Sequence, residues 1–142
     1  CFVYLAMFAY EEGDSNNALT FLTQANLLFP DNYWSYRLET KVRSSMDSDY
    51  PLISKAFYNA INLYPPVINE ILEQGVTSEI KMGNTTEAAS ILEKFILVFG
   101  RIYEVDEVRS QIPNNTIETV INHMHLLSDN CSKLAKKIIM NK

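Results

Sequence analysis

A set of small, large and helix-stopping residues recurs every 35 residues, and this repeat constrains the fold more than any other feature of the chain. The positions hold Ala18, Leu22, Ala25 and Pro30 in the first copy, Ile53, Phe57, Ala60 and Pro65 in the second, and Ala88, Leu92, Phe95 and Gly100 in the third. Two helices approach closely where a small side chain of one meets a large side chain of the other. Pro and Gly end helices. The repeat therefore predicts an all-α fold of successive helix pairs.

Glycines mark the turns within the predicted pairs. Gly13 stands five residues before Ala18, Gly83 stands five before Ala88, and the middle copy has Ser48 at this position. Gly adopts backbone conformations that a tight turn requires and other residues avoid. The helices are predicted at residues 2–12, 15–29, 32–45, 51–64, 66–82 and 85–99.

These residues resemble the tetratricopeptide repeat, whose pattern is W-x2-L-G-x2-Y, a turn Gly and A-x3-F-x2-A-x4-P over about 34 residues. The matching residues are Phe2, Leu5, Ala6, Gly13, Ala18, Leu22, Ala25 and Pro30 in the first unit, Trp34 and Leu38 in the second, and Leu72, Gly75, Val76, Gly83, Ala88 and Leu92 in the third. Ala9 departs from the Tyr of the pattern, and the turn at residues 44–50 is longer than usual. The resemblance covers residues 2–100. It implies a right-handed α-solenoid of antiparallel helix pairs that holds protein partners and catalyses no reaction.

We predict a single domain over residues 1–142, with repeat units at about 1–32, 33–66 and 67–100 and a degenerate repeat with a capping helix at 101–142. Helices are expected there at residues 101–112, 116–127 and 133–140. The last helix is expected to cover the apolar face of the one before it, because the end of a solenoid needs a cap. That face consists of Ile117, Val120, Ile121 and Met124. A first residue of Cys is typical of a fragment or a processed chain.

Charge argues against a polyanionic partner. The formal net charge is −5, and residues 1–130 hold 8 Lys and Arg against 17 Asp and Glu, while residues 131–142 hold four Lys and no acid. The alternative function is RNA binding by pentatricopeptide-type repeats, which share the 35-residue spacing. Those repeats place their proline later and need a cationic groove to balance phosphate charge.

No pattern typical of catalysis, metal binding or cofactor binding is present. The chain has only four Gly and no phosphate-binding loop motif. His123 and His125 are the only histidines; on one straight helix they would point in roughly opposite directions and could not bind one ion together. Two acidic groups, Glu70 with Glu73 and Glu104 with Asp106 and Glu107, have no base or nucleophile at a matched spacing. We therefore predict no enzyme activity and no cofactor.

The resemblance places a partner-binding groove on the first helix of each pair. The predicted groove residues are Met7, Tyr10, Glu39, Arg43, Glu73 and Thr77. Tetratricopeptide domains that bind acidic C-termini have basic residues at such positions, whereas this chain has Glu39 and Glu73. We therefore expect a basic or mixed apolar–basic protein segment as partner, or subunits of a larger complex.

Eight aromatic residues fall near the predicted helix junctions, and they either pack between repeats or mark a binding surface. The set is Phe21, Phe29, Tyr33, Trp34, Tyr36, Phe57, Tyr58 and Tyr64. We expect most of them to be core residues, because large apolar residues at helical spacing usually face a core.

The two cysteines indicate the compartment. Cys1 and Cys131 lie at opposite ends and match neither a disulfide framework nor a zinc motif, which favours a reducing, intracellular and cytoplasmic location. The longest apolar run, residues 1–10, has half the ~20 residues that a membrane helix needs. No membrane span is predicted.

Overall fold

The computed structural model describes residues 2–46, 49–102 and 112–140, and all regular structure in these ranges is helical. The α-helices are α1 (Phe2–Glu11), α2 (Ser15–Leu28), α3 (Tyr33–Ser45), α4 (Tyr50–Leu63), α5 (Ile68–Lys81), α6 (Thr85–Ile102), α7 (Asn114–Asn122) and α8 (Asp129–Met140). Short 3₁₀ helices lie at Pro65–Val67 and Met124–Leu126. The predicted all-α class is confirmed for the described residues, and α1 to α6 lie within three residues of their predicted bounds.

Local capping explains where several helices begin. Asp14 accepts a hydrogen bond from the Asn17 amide at 3.2 Å and caps α2. Asn32 accepts one from the Trp34 amide at 3.1 Å and caps α3. α4 has a proline in its first turn, where the missing amide proton costs nothing. These short polar side chains satisfy helix amides that have no partner within the helix.

The chain forms two compact units, Cys1–Val67 and Ile68–Lys142. In the first unit α1 packs on α2, α2 on α3 and α3 on α4, and α1 also contacts α3. In the second unit α5 packs on α6 and α7, and α6 packs on α8. The boundary between the units lies within one residue of the predicted start of the third repeat at residue 67. Neighbouring helices therefore pack in pairs, as the sequence predicts.

The repeated positions are the buried centres of these pairs. All nine small or large positions of the three copies are at most 4% exposed, and they are Ala18, Leu22, Ala25, Ile53, Phe57, Ala60, Ala88, Leu92 and Phe95. The burial expected of the small residues Ala18, Ala25 and Ala60 is therefore confirmed. Burial of Phe or Leu beside Ala lets paired helices approach without a cavity.

The repeat also recurs in the backbone hydrogen bonds of the turns. The amide of Ala18 donates to the Asp14 carbonyl at 3.1 Å, that of Ile53 to Asp49 at 3.1 Å, and that of Ala88 to Asn84 at 3.0 Å. Gly13 and Gly83 have φ angles of 82° and 80°, in the left-handed region that favours glycine. Each donates its amide to a carbonyl three residues earlier at 3.0 Å. Ser48, the middle member of the set, lies outside the described residues.

Replacing Ala25 with Leu should destabilise the first unit by about 1–3 kcal/mol, because a larger side chain must enter a site that is 4% exposed. Chemical denaturation measures the change. Gln24→Leu is the matched control, because it adds a leucine to an exposed position on the same helix. Equal unfolding midpoints for the two variants would contradict the assigned packing.

The C-terminal segment differs from its prediction. The predicted helix over 116–127 ends at Asn122, because His123 has φ −121° and ψ 15°, and a 3₁₀ turn follows at Met124–Leu126. α8 begins at Asp129, four residues before its predicted start. Most of the helix predicted at 101–112 lies outside the described residues.

The last helix covers α6 more than the helix that it was expected to cap. α8 packs mainly on α6 and less on α7, and it buries Cys131, Ala135 and Ile138. Of the four residues it was expected to cover, Ile117 and Val120 are buried, Met124 is half-buried and Ile121 is 47% exposed. The lysines at 133, 136 and 137 are exposed, so the apolar side of α8 is directed toward the core and the charged side toward solvent.

Candidate partner-binding surface

In the first unit, the groove residues of α1 lie against the core. Met7 and Tyr10 are half-buried and pack against a cluster formed by Ala6, Ala18, Leu22, Leu38 and Val42. Since the cluster combines residues of α1, α2 and α3, this face of α1 is directed toward the core of the unit. Each of the two side chains therefore offers only part of its surface to a ligand.

The groove residues of α3 form an ion pair. Arg43 Nε donates to Glu39 Oε2 at 2.8 Å, and Asn26 Nδ2 of α2 donates to Glu39 Oε1 at 2.9 Å. Both side chains are largely covered, with 15% of Glu39 and 23% of Arg43 exposed. Glu39 was expected to present a negative charge to the groove, but its charge is balanced by Arg43. Because the two charges offset each other, these residues of α3 add little net negative charge to the predicted groove.

The ion pair continues into a polar network between α2 and α3. Buried Ser35 donates its hydroxyl to Asn26 Oδ1 at 2.6 Å, with the Asn32 carbonyl as a second acceptor at 2.9 Å. Burial raises the pKa of Tyr36, and the negative charges of Glu39 and Asp31 raise it further. Its phenol is therefore neutral near pH 7.

In the second unit, Glu73 and Thr77 stand one turn apart on α5. Glu73 is exposed and Thr77 is half-buried. Asn115 Nδ2 donates to Glu73 Oε2 at 3.0 Å, and Thr116 Oγ1 donates to the Asn69 carbonyl at 2.8 Å. These bonds attach the start of α7 to α5 beside the predicted site. Glu73 still presents its charge to solvent, which makes it the accessible acid among the predicted residues.

A buried acid, Glu79, was missed by the sequence analysis. It is 3% exposed, and Asn84 Nδ2 donates to its Oε2 at 3.0 Å. The backbone shows that Glu79 takes the place of Ala9, since the Asn84 amide donates to the Glu79 carbonyl and the Asp14 amide to the Ala9 carbonyl, both at 2.8 Å. The five-residue spacing from Glu79 to Asn84 across a turn glycine is the signal that could have indicated this bond. We interpret Glu79 as a residue that holds the α5–α6 turn.

The two histidines do not point in opposite directions, contrary to the prediction. The rings of His123 and His125 stack at 6.4 Å between centroids, because the helix ends before them. His123 Nδ1 lies 2.8 Å from the Thr119 carbonyl, which accounts for one ring nitrogen of this residue. The two rings therefore lie side by side just after the C-terminal end of α7.

The aromatic set divides into core and surface members. Phe57 is fully buried, as expected. Phe29, Trp34 and Tyr64 are 66%, 46% and 42% exposed, so the core prediction is wrong for these three. Sequence periodicity could not distinguish these three from core residues. They lie at helix ends, where a residue on the apolar face no longer has a neighbouring helix to pack against.

Models of protein families, curated proteins and solved structures were compared with the chain, and none of them matches it. Across residues 2–46, 49–102 and 112–140, no group of three or more His, Cys, Asp and Glu side chains could hold a metal ion. None of the helices in those ranges has both the length and the apolar content needed to cross a bilayer.

Proposed function

We propose that this chain is a non-catalytic protein-interaction scaffold of tetratricopeptide-like repeats, in which right-handed stacking of antiparallel helix pairs presents the first helices to a partner. One observation carries the proposal. The helix-pair centres and their turns repeat at 35 residues, with equivalent hydrogen bonds at Ala18, Ile53 and Ala88 and with buried small or large residues around them. Repeated helix pairs of this kind form extended surfaces for partner segments.

The distribution of charge refines the partner we propose. Glu73 presents an exposed carboxylate on α5, whereas Glu39 on α3 is paired with Arg43. A basic side chain of the partner would gain most from Glu73, since that carboxylate is exposed and the donor that contacts it, the amide of Asn115, is neutral. Apolar side chains would pack on the accessible parts of Met7 and Tyr10. A mixed apolar–basic segment matches both kinds of surface.

Binding should depend on the charge of Glu73. We expect a peptide selected from a displayed random library to contain basic and apolar residues, and Glu73→Gln to weaken its binding about threefold to fivefold at low salt. The substitution keeps an oxygen to accept the Asn115 hydrogen bond. Calorimetric titration at two salt concentrations measures the loss, which should shrink at high salt.

Glu87→Gln is the matched control, because it removes the same charge from an exposed position at the start of α6, outside the first helices. It should leave the affinity unchanged. Equal losses for the two variants would show that only net charge matters. Selection of acidic peptides would contradict the proposed charge preference. Retention of single-stranded RNA at moderate salt would contradict the proposal and favour the RNA-binding alternative.

A further inference from the structure

The first unit carries an apolar surface where α2 ends and α3 begins. We define the aromatic corner as six side chains that are each between 40% and 79% exposed: Leu27, Leu28, Phe29, Trp34, Leu63 and Tyr64. The proposed groove uses none of them. Soluble proteins seldom leave so many large apolar side chains together in water unless the surface binds something.

Ring contacts hold this corner together. Tyr33 lies 5.6 Å from Trp34 and 4.6 Å from Tyr64 between ring centroids. Since Tyr64 follows α4 and Tyr33 begins α3, these contacts bring the end of α4 beside the start of α3. Arg37 Cζ lies 4.9 Å from the centre of the Trp34 ring and supports the indole by a cation–π contact. Leu28 and Phe29 at the end of α2 line one pocket together with Asn32, the residue that caps α3. The ends of α2 and α4 therefore both adjoin the start of α3.

The area of the corner is close to that of a protein interface. An aromatic side chain can bury about 150–250 Å², so Phe29, Trp34 and Tyr64, at their exposures, leave about 300 Å² in water. The three leucines add a comparable area. The total approaches the roughly 800 Å² per partner that a stable complex buries.

The charge around the corner indicates the occupant. α2 has no Asp, Glu, Lys or Arg, and α4 has only Lys55. Beside Trp34, exposed Asp31 and half-buried Arg37 carry opposite charges, which offset each other. In a twofold dimer each surface meets a copy of itself, so like charges would face one another unless the surface is nearly neutral. The corner meets this condition despite the net charge of −5. It also lacks the cluster of basic residues with which proteins bind anionic membranes.

A second exposed apolar surface in this unit does not meet the condition. Tyr4 and Phe8 of α1 are 64% and 62% exposed, but exposed Glu11 and Glu12 adjoin them at the end of the same helix. Two copies of this surface would bring acids together, because the sequence of α1 contains no base. Self-association is therefore disfavoured on α1.

We propose that a second copy of this chain docks on the aromatic corner and forms a twofold homodimer. The proposal goes beyond the interaction with a partner segment and is independent of it, since the corner shares no residue with the groove. Phe29 and Trp34 would lie at the centre of the interface, where aromatic residues contribute most to binding.

Sedimentation equilibrium of the intact chain from about 1 to 500 µM tests this proposal. We expect a monomer–dimer equilibrium in which Phe29→Asp raises the dissociation constant about 30-fold or more. Trp34 is the only tryptophan, so its emission should shift to shorter wavelength as the dimer forms. Phe8→Asp is the matched control, since Phe8 is 62% and Phe29 66% exposed, and it should change the dissociation constant less than twofold.

The outcomes are distinct. Because Phe29 is exposed, the Phe29→Asp variant should have the same helical circular-dichroism spectrum as the unmodified chain. It should also bind the selected peptide with unchanged affinity, since the groove does not include Phe29. A chain that stays monomeric over the whole concentration range would overturn the proposal, and so would a dimer that Phe8→Asp dissociates. Binding of the monomer to neutral or anionic lipid vesicles through Trp34 would identify the corner as a membrane contact instead.

Discussion

Replacing Ile138 with Asp should unfold or strongly loosen the second unit, with a loss of at least about 4 kcal/mol in the free energy of unfolding. Ile138 is fully buried on α8, the helix that packs on α6. The substitution removes the apolar contact and places a carboxylate in a site that favours its uncharged form. Denaturant titration followed by circular dichroism measures the loss. Burial would raise the pKa of the introduced carboxyl in the folded state, so the free energy of unfolding should fall as pH rises above the ordinary pKa of Asp.

Lys136→Asp provides the control for this experiment. It introduces the same side chain on the same helix at an exposed position, where surface substitutions usually change stability by less than about 0.5 kcal/mol. Similar midpoints for the two variants would show that α8 does not stabilise the fold. A large loss for Ile138→Asp alone would establish that the terminal helix covers an apolar surface of its unit.

Replacing Phe57 with Ala should cost about 3–5 kcal/mol, because Phe57 is fully buried and the cavity left behind cannot collapse completely. Phe57 is the large residue of the second copy of the repeat, at the position that Leu22 and Leu92 occupy in the others. Thermal and chemical unfolding both measure the change. The first unit should lose cooperativity or melt at a lower temperature.

Phe8→Ala removes the same side chain from an exposed position of the same unit. We expect its effect to be within about 0.5 kcal/mol of zero. If Phe57→Ala were equally mild, the second copy of the repeat would not contain the helix contact we describe. If Phe8→Ala were equally severe, the surface of α1 would be covered by another part of the protein.

The helix pairs could be predicted from the sequence because their signals are local and repeated. Ala18, Ala60 and Ala88 mark close contacts, and Gly13 and Gly83 mark turns that need a positive φ. Each signal is modest by itself, but the same order of small, large and stopping residues occurs three times. Periodicity of this kind depends on the contacts within each pair, which local sequence largely determines.

The surface was harder to predict because its properties depend on which residues meet across helices. Glu39 and Arg43 are four residues apart, a spacing that could have indicated their ion pair, but the bond from Asn26 comes from another helix. Burial of Glu79 and exposure of Phe29 reverse the usual preferences of these residue types. The end of α7 at Asn122 follows from the conformation of His123, which carries no strong stop signal in the sequence.

The central claim, that the first helices of the pairs hold a protein segment, is tested most directly by mapping a bound peptide onto the backbone amides. The isotope-labelled chain is titrated with the peptide selected from the random library, and its amide resonances are followed by two-dimensional NMR. We predict that the resonances that shift belong mainly to α1, α3 and α5, including those of Tyr10, Arg43 and Thr77. Shifts confined to α2, α4 and α6, or shifts produced by single-stranded RNA and not by the peptide, would contradict the claim.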